Sequence, residues 1–264
     1  MDARLPGNEA LVTSFWPIYK RELFAFFVTP LAWVLIVVFL LTQGMHFFLL
    51  VDEFSRSGVD VAGDETPLSA FFGNTVLLYM VLFVLVPPMT MRLFAEERRS
   101  GTIETLMTAP VSSAAVVLAK YAAVLTTYVA MWLPTAMYLV ILGRADPEGQ
   151  LDWNVAASAY LGVFLVGAGY LAVGLCASAL TRSQFLAMVF TALVLLSLFI
   201  LGVGEFVARE GTTVHDVCAH VSVWAHMNDF ASGLVDSRHL VFYATMVALP
   251  LFVATRAVDA WRWG

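Results

Sequence analysis

The sequence predicts an all-α integral membrane protein with six transmembrane helices. Three observations carry that prediction. First, 60% of the 264 residues are apolar and 13% are charged, with a mean hydropathy of +0.82. Soluble domains run at roughly half apolar and a quarter charged, and their surfaces need that charge. Second, the apolar residues form continuous runs close to the ~18–20 residues a helix needs to cross about 30 Å of hydrocarbon. Lipid offers no hydrogen bonds, so the backbone of such a run must pair within itself as a helix. The runs do not alternate, which argues against a transmembrane β-barrel. Third, the basic residues collect on one side of the resulting layout.

Residues 13–28 place Phe15, Tyr19, Leu23 and Phe26 at helical spacing, with Lys20, Arg21 and Glu22 on another side. This reads as an amphipathic elbow helix in the inner interface, capped by Thr13 or Ser14, with Pro17 in its first turn. The six spans are read as 31–51, 69–91, 115–142, 155–180, 184–203 and 240–255, the last being short. Pro87 and Pro88, Pro134 and Pro250 each remove a backbone donor and are expected to kink or end their helices. Residues 204–238, between the fifth and sixth spans, form an outer loop.

Residues 92–110, between the second and third spans, hold the densest charge cluster in the chain. Glu96, Glu97, Arg98 and Arg99 suit a short helix that Ser100-Gly101 interrupts. Thr102 can cap a second one, with Glu104 in its first turn, and Pro110 ends it. The reading is a helix–break–helix finger; its plainer alternative is a solvated loop joining two spans.

With the N-terminus inside, Arg4, Lys20, Arg21, Arg92, Arg98, Arg99, Lys120, Arg182, Arg256 and Arg262 lie on the cytoplasmic side. Arg56, Arg144, Arg209 and Arg238 lie outside, which accounts for all 14 basic residues. Basic residues prefer the cytoplasmic side, so both termini are placed there. The N-terminus has no short apolar core followed by a cleavage site, so no cleavable signal peptide is expected.

Several chemistries lack their residues. A phosphate-binding loop needs Gly-Lys-Ser/Thr, but Lys20 follows Tyr19 and Lys120 follows Ala119. No Asp, Glu, Lys or Arg falls deep inside a predicted span, although Lys120 sits near an inner end, and this argues against an ion-driven pump or a charged-ring channel. No HExxH motif and no paired catalytic carboxylates suggest an intramembrane enzyme. Cys176 and Cys218 occupy unlike segments and are expected to be free thiols. His215, Cys218 and His220 could ligate copper or zinc, but their spacing fits no standard zinc pattern. The small residues Gly162, Gly167, Gly169, Ala172 and Gly174 permit close helix approach, either within ordinary span packing or at a dimer interface.

The stretch PPMTMRLFAEERRSGTIETLMTAPV (87–111), followed by Lys120-Tyr121, resembles the signature of ABC-2-type transporter permeases. The stretch SVWAHMNDFASGLVDSRHLVFY (222–243) and the Trp261-Arg262-Trp263 ending are similar to the gliding-motility-type permease branch. The resemblance implies an ABC-2 exporter-like fold with an elbow, six spans, a cytoplasmic coupling helix and partly membrane-dipping helices after the fifth span. It implies a multi-pass protein of the bacterial cytoplasmic (inner) membrane. Its partners would be cytoplasmic ABC ATPase subunits, which hold ATP and Mg2+, a second permease copy or a related permease, and membrane lipid, with no nucleic acid. The chain itself would hold no cofactor and catalyse nothing. The family's ATPase-coupling role carries over to Glu96, Glu97, Arg98, Arg99, Gly101 and Thr102. Arg182, in the short 181–183 turn, is either a second ATPase contact or part of a plain tight turn. Two further readings stay open: a permease serving copper-enzyme maturation, favoured only by the His/Cys loop, and a non-transporting mechanical subunit of an envelope or gliding-motility machine.

Overall fold

A computed structural model describes residues 8–57, 67–73, 76–101, 111–145, 152–209 and 211–263. Every regular element among them is a helix: α1 (Asn8–Val28), α2 (Pro30–Ser57), α3 (Pro67–Phe72), α4 (Val76–Thr90), α5 (Ala95–Ser100), α6 (Ser113–Trp132), α7 (Ala136–Ala145), α8 (Trp153–Leu180), α9 (Gln184–Val207), α10 (Thr213–Val221), α11 (Val223–Ala231) and α12 (Ser237–Trp263). Among the described residues, six stretches are long and apolar enough to cross a membrane.

The spans correspond to the predicted runs, with differences at their ends and breaks. Span one is α2. Span two combines α3 and α4, and it continues through Pro87 and Pro88 to Thr90. Span three is α6 and α7, joined by a 3-10 turn at Leu133–Thr135. The break predicted at Pro134 is therefore there, and it is one tight turn. Span four is α8, capped by Asp152, whose side chain accepts from the Asn154 N–H. Span five is α9.

The sixth span is a 27-residue helix that passes through Pro250 and ends at Trp263. The helix is longer at both ends than the predicted 240–255, and Pro250, expected to kink or end it, does not end it. One proline removes one backbone hydrogen bond, which a long helix held by its neighbours tolerates.

The elbow also differs from expectation. Its backbone is helical from Asn8, so Thr13 and Ser14 are interior residues and Pro17 lies well past the first turn. A Ser or Thr caps a helix only where the chain before it is non-helical, and Ala10 and Leu11 continue the helix instead. α1 packs mainly on α6. Tyr19 and Thr126 share a hydrogen bond of 3.0 Å, and Glu22 meets Lys120. Thr126 lies about 9 Å further along α6 than Lys120, so α1 leans along α6 and does not merely lie across its end.

α8 is the central helix, flanked by α4, α6, α9, α11 and α12. Its glycines are what let the neighbours in. A Cβ at Gly167 would overlap the Tyr128 ring of α6, and one at Gly174 would overlap Thr90 of α4. Gly162 and Gly169 stand likewise against Phe230 and Met246. The small residues thus serve packing within the chain. α2, α9 and α12 keep most of their apolar surface outward. Cys176 and Cys218 are free thiols.

Candidate functional site: a clamped charged helix at one end of the bundle

Helix α5 occupies the turn between spans two and three. Its six residues, AEERRS, place Glu96 and Glu97 in the first turn and Arg98 and Arg99 in the last. That order suits the helix dipole, which favours acids at the N-terminus and bases at the C-terminus. Gly101 ends the helix at φ +72, a left-handed conformation that glycine adopts without a Cβ clash. The break expected at Ser100-Gly101 is therefore observed. Residues 102–110, including Thr102 and the predicted second short helix, lie outside the described residues.

So short a helix cannot hold itself together; other elements secure it. Phe94, at the N-cap, offers no side-chain oxygen. Ser178 of α8 takes over that task. Its hydroxyl accepts from the N–H groups of Phe94 (3.0 Å) and Ala95 (3.1 Å) and donates to the Met91 carbonyl (3.0 Å). A residue 84 positions away thus caps the helix.

The second fastening is a ring of charges. Lys120 Nζ of α6 stands 3.0 Å from Glu22 Oε1 of α1 and 3.0 Å from Glu97 Oε1 of α5. Arg21 Nη2 bonds the same two carboxylates at 2.8 and 3.0 Å. Two cations and two anions from three helices therefore close into one network. The Lys120 side chain is 1% exposed, and its ammonium also lies 5.2 Å from the centre of the Phe94 ring. Burial would raise the Glu22 carboxyl, but Lys120 and Arg21 overcome it and hold the group below its ordinary value. Among the described residues, the buried Glu97 Oε2 has no hydrogen-bond partner.

The third fastening runs through Arg98. Its guanidinium stacks 4.4 Å over the Trp261 ring of α12. One of its nitrogens donates, at 3.4 Å, to the carbonyls of Ala179 and Thr181 at the end of α8. Phe94 meets the same Trp261 edge-on, at 5.9 Å between ring centres.

The predicted cluster thus divides. Glu97 and Arg98 turn into the bundle. Glu96, Arg99, Ser100 and Gly101 face outward, with Glu96 bound to Arg92 at 3.1 Å. Arg182, exposed in the turn before α9, is close enough to Arg98 for the two cations to repel. Sequence reasoning missed Glu22, Lys120 and Ser178 as site residues. A lysine one to two turns inside an apolar run was the available signal for Lys120, since a buried ammonium requires partners.

The candidate metal ligands are not brought together. On α10, Cys218 packs under Gly204, His220 points its ring at Phe242, and His215 lies beside Asp216. Among the described residues, no three His, Cys, Asp or Glu side chains are grouped to hold a metal ion.

Residues 55–233 match the family model described as ABC-2 family transporter protein. That span holds α5, Lys120, Ser178 and the central helix α8; Glu22 precedes it and Trp261 follows it. A search of curated proteins gave no match.

Proposed function

Because the chain belongs to the ABC-2 transporter family, we propose that it is the permease subunit of an ATP-driven exporter, worked through α5 by a separate ATPase. The observation that carries this reading is the fastening of α5 to four other helices: to α1 and α6 by Glu97, to α8 by Ser178 and to α12 by Arg98. A load on its exposed face is borne by all of these fastenings together. It passes to spans three, four and six at once, as a rigid-body shift.

On this reading the exposed face, formed by Glu96, Arg99, Ser100 and Gly101 with Arg182 alongside, meets the ATPase on the cytoplasmic side of the bacterial inner membrane. ATP and its Mg2+ belong to that partner, and a second permease copy or a related chain completes the transporter. Closure of the ATPase on ATP displaces α5 and the spans follow. Cargo with unequal affinity for the two arrangements is carried as the equilibrium is driven.

The experiment is reconstitution with the partner ATPase. Reversing Arg99 and Arg182 to Glu should weaken assembly while the fold survives. Replacing Lys120 with Met should leave assembly intact and lower cargo movement per ATP hydrolysed. Unchanged coupling in both variants would reject α5 as the lever. The mechanical-subunit reading uses the same lever and differs in what is moved. The copper-maturation reading has lost its one supporting feature, the His/Cys grouping. The gliding-motility branch rests on the 222–243 stretch and the Trp261-Arg262-Trp263 ending, and the family match supports the family without the branch.

A further inference from the structure

Where α6 gives way to α7, the chain builds a pocket unrelated to α5. Its volume is 270 Å³, and Tyr128, Trp132, Leu133, Leu139, Tyr160 and Val163 supply most of its wall. The turn explains why it exists. Pro134 has no N–H, the chain tightens to a 3-10 turn, and the small Ala136 follows.

The wall is wholly apolar although two tyrosines contribute to it. Tyr128 donates its hydroxyl to the Val163 carbonyl at 3.0 Å. Tyr160 and Thr135 share a hydrogen bond of 3.0 Å, and Thr135 donates in turn to the Trp132 carbonyl at 2.7 Å. The hydroxyls are thereby occupied away from the pocket, which is left with ring faces and aliphatic carbon. Among the described residues the exposed wall offers a water molecule no polar atom, where it needs two to four polar partners. An enclosed apolar cavity of roughly 150 Å³ already takes hydrocarbon; this pocket, at about 270 Å³, is larger and open on one side.

Its mouth opens on the lipid side. Leu133 is 66% exposed, whereas Tyr128 and Val163 in the floor are each 2% exposed. Tyr160 and Phe164 lie roughly 10 and 17 Å along α8 from Trp153. That is the depth range of one leaflet's chains in a hydrocarbon core of about 30 Å, on the side of the bundle away from α5.

We propose that this pocket binds an acyl chain of a phospholipid from the leaflet on that side, seated between α6, α7 and α8. The site recognises hydrocarbon and makes no polar contact with the headgroup.

The test is photolabelling in nanodiscs of phosphatidylcholine carrying a diazirine in one acyl chain, with adducts mapped by mass spectrometry. Lipid that merely surrounds the bundle reaches Leu133 and Phe185 but not the floor. Adducts on Tyr128 and Val163 are expected in the unaltered protein. They should fall at least fivefold in Ala136→Phe, which fills the pocket, while labelling of Phe185 is unchanged. If Ala136→Phe does not fold, Leu139→Trp serves as the second plug. Tyr128 and Val163 left unlabelled, or labelled equally with the pocket plugged, would overturn the proposal. So would labelling that appears only when self-association is suppressed, which would assign the pocket to a side chain of a second copy.

Discussion

Lys120 is the residue on which the charged end of the bundle turns. Among the described residues it is the one cation that reaches α1 and α5 from within a span, and removing it would leave the two carboxylates of Glu22 and Glu97 to the largely exposed Arg21 alone. Breaking a buried pair by deleting one partner typically costs about 3–5 kcal/mol, because the remaining charge stays desolvated. Lys120→Met should therefore lower the melting temperature in detergent markedly. Adding Glu22→Gln and Glu97→Gln should restore much of the loss, and a triple variant no more stable than the single one would count against the network. Ser178→Ala tests the borrowed cap. Losing an N-cap oxygen costs about 0.5–2 kcal/mol, and hydrogen exchange at Phe94 and Ala95 should quicken before global stability changes. Gly167→Val would push a branched side chain into the Tyr128 ring. It should reduce the yield of folded protein, whereas the same change at the open Gly101 position should act through backbone strain alone.

Among the elements, α11 has the most distinctive chemistry. It plugs the end of the bundle away from α5, with Met227 and Phe230 fully buried against the core. His226 Nδ1 lies 3.3 Å from the Tyr243 hydroxyl, and its ring centre is 4.1 Å from that of His239, which bonds Asp229 at 2.7 Å. Burial first, then His239 and His220, pushes the His226 imidazole down to about 4. A base depressed on folding binds its proton more readily when unfolded, so its contribution is complete above the ordinary value near 6.5 and fades as the pH falls toward 4. Stability should accordingly decline with acidification between those values, and His226→Gln should flatten that decline in melting curves recorded across pH. An unchanged profile in the variant would place the sensitivity elsewhere. α5 makes the contrasting point. Its helical character over Glu96–Arg99 and its end at Gly101 were legible, but its anchoring was not, because Ser178, Lys120 and Trp261 are remote in sequence.

At the scale of the whole molecule, the proposed orientation predicts that a cysteine placed at Arg99 reacts with impermeant maleimide only from the cytoplasmic side. One placed at Val214 should react only from the other, and a reversed pattern would reject the assigned sidedness. The sequence alone determined the class of fold, the six crossings, an interruption at Pro134 and the end of α5 at Gly101. Each of these follows from local physics: the length of an apolar run, a missing N–H, or a conformation open to glycine. It set the sixth span at 240–255, the length of the apolar run, whereas the helix continues through Pro250 and beyond that run over 27 residues, held by its neighbours. Only the tertiary structure decided that Glu97 and Arg98 turn inward while Glu96 and Arg99 turn out, that the α8 glycines receive Tyr128 and Thr90, and that two tyrosine hydroxyls are drawn away to leave an apolar pocket. Those outcomes depend on which helix faces which. In a bundle whose surfaces are almost uniformly apolar, that choice is made by close packing and a few buried polar partners far apart in the chain, which no local pattern records.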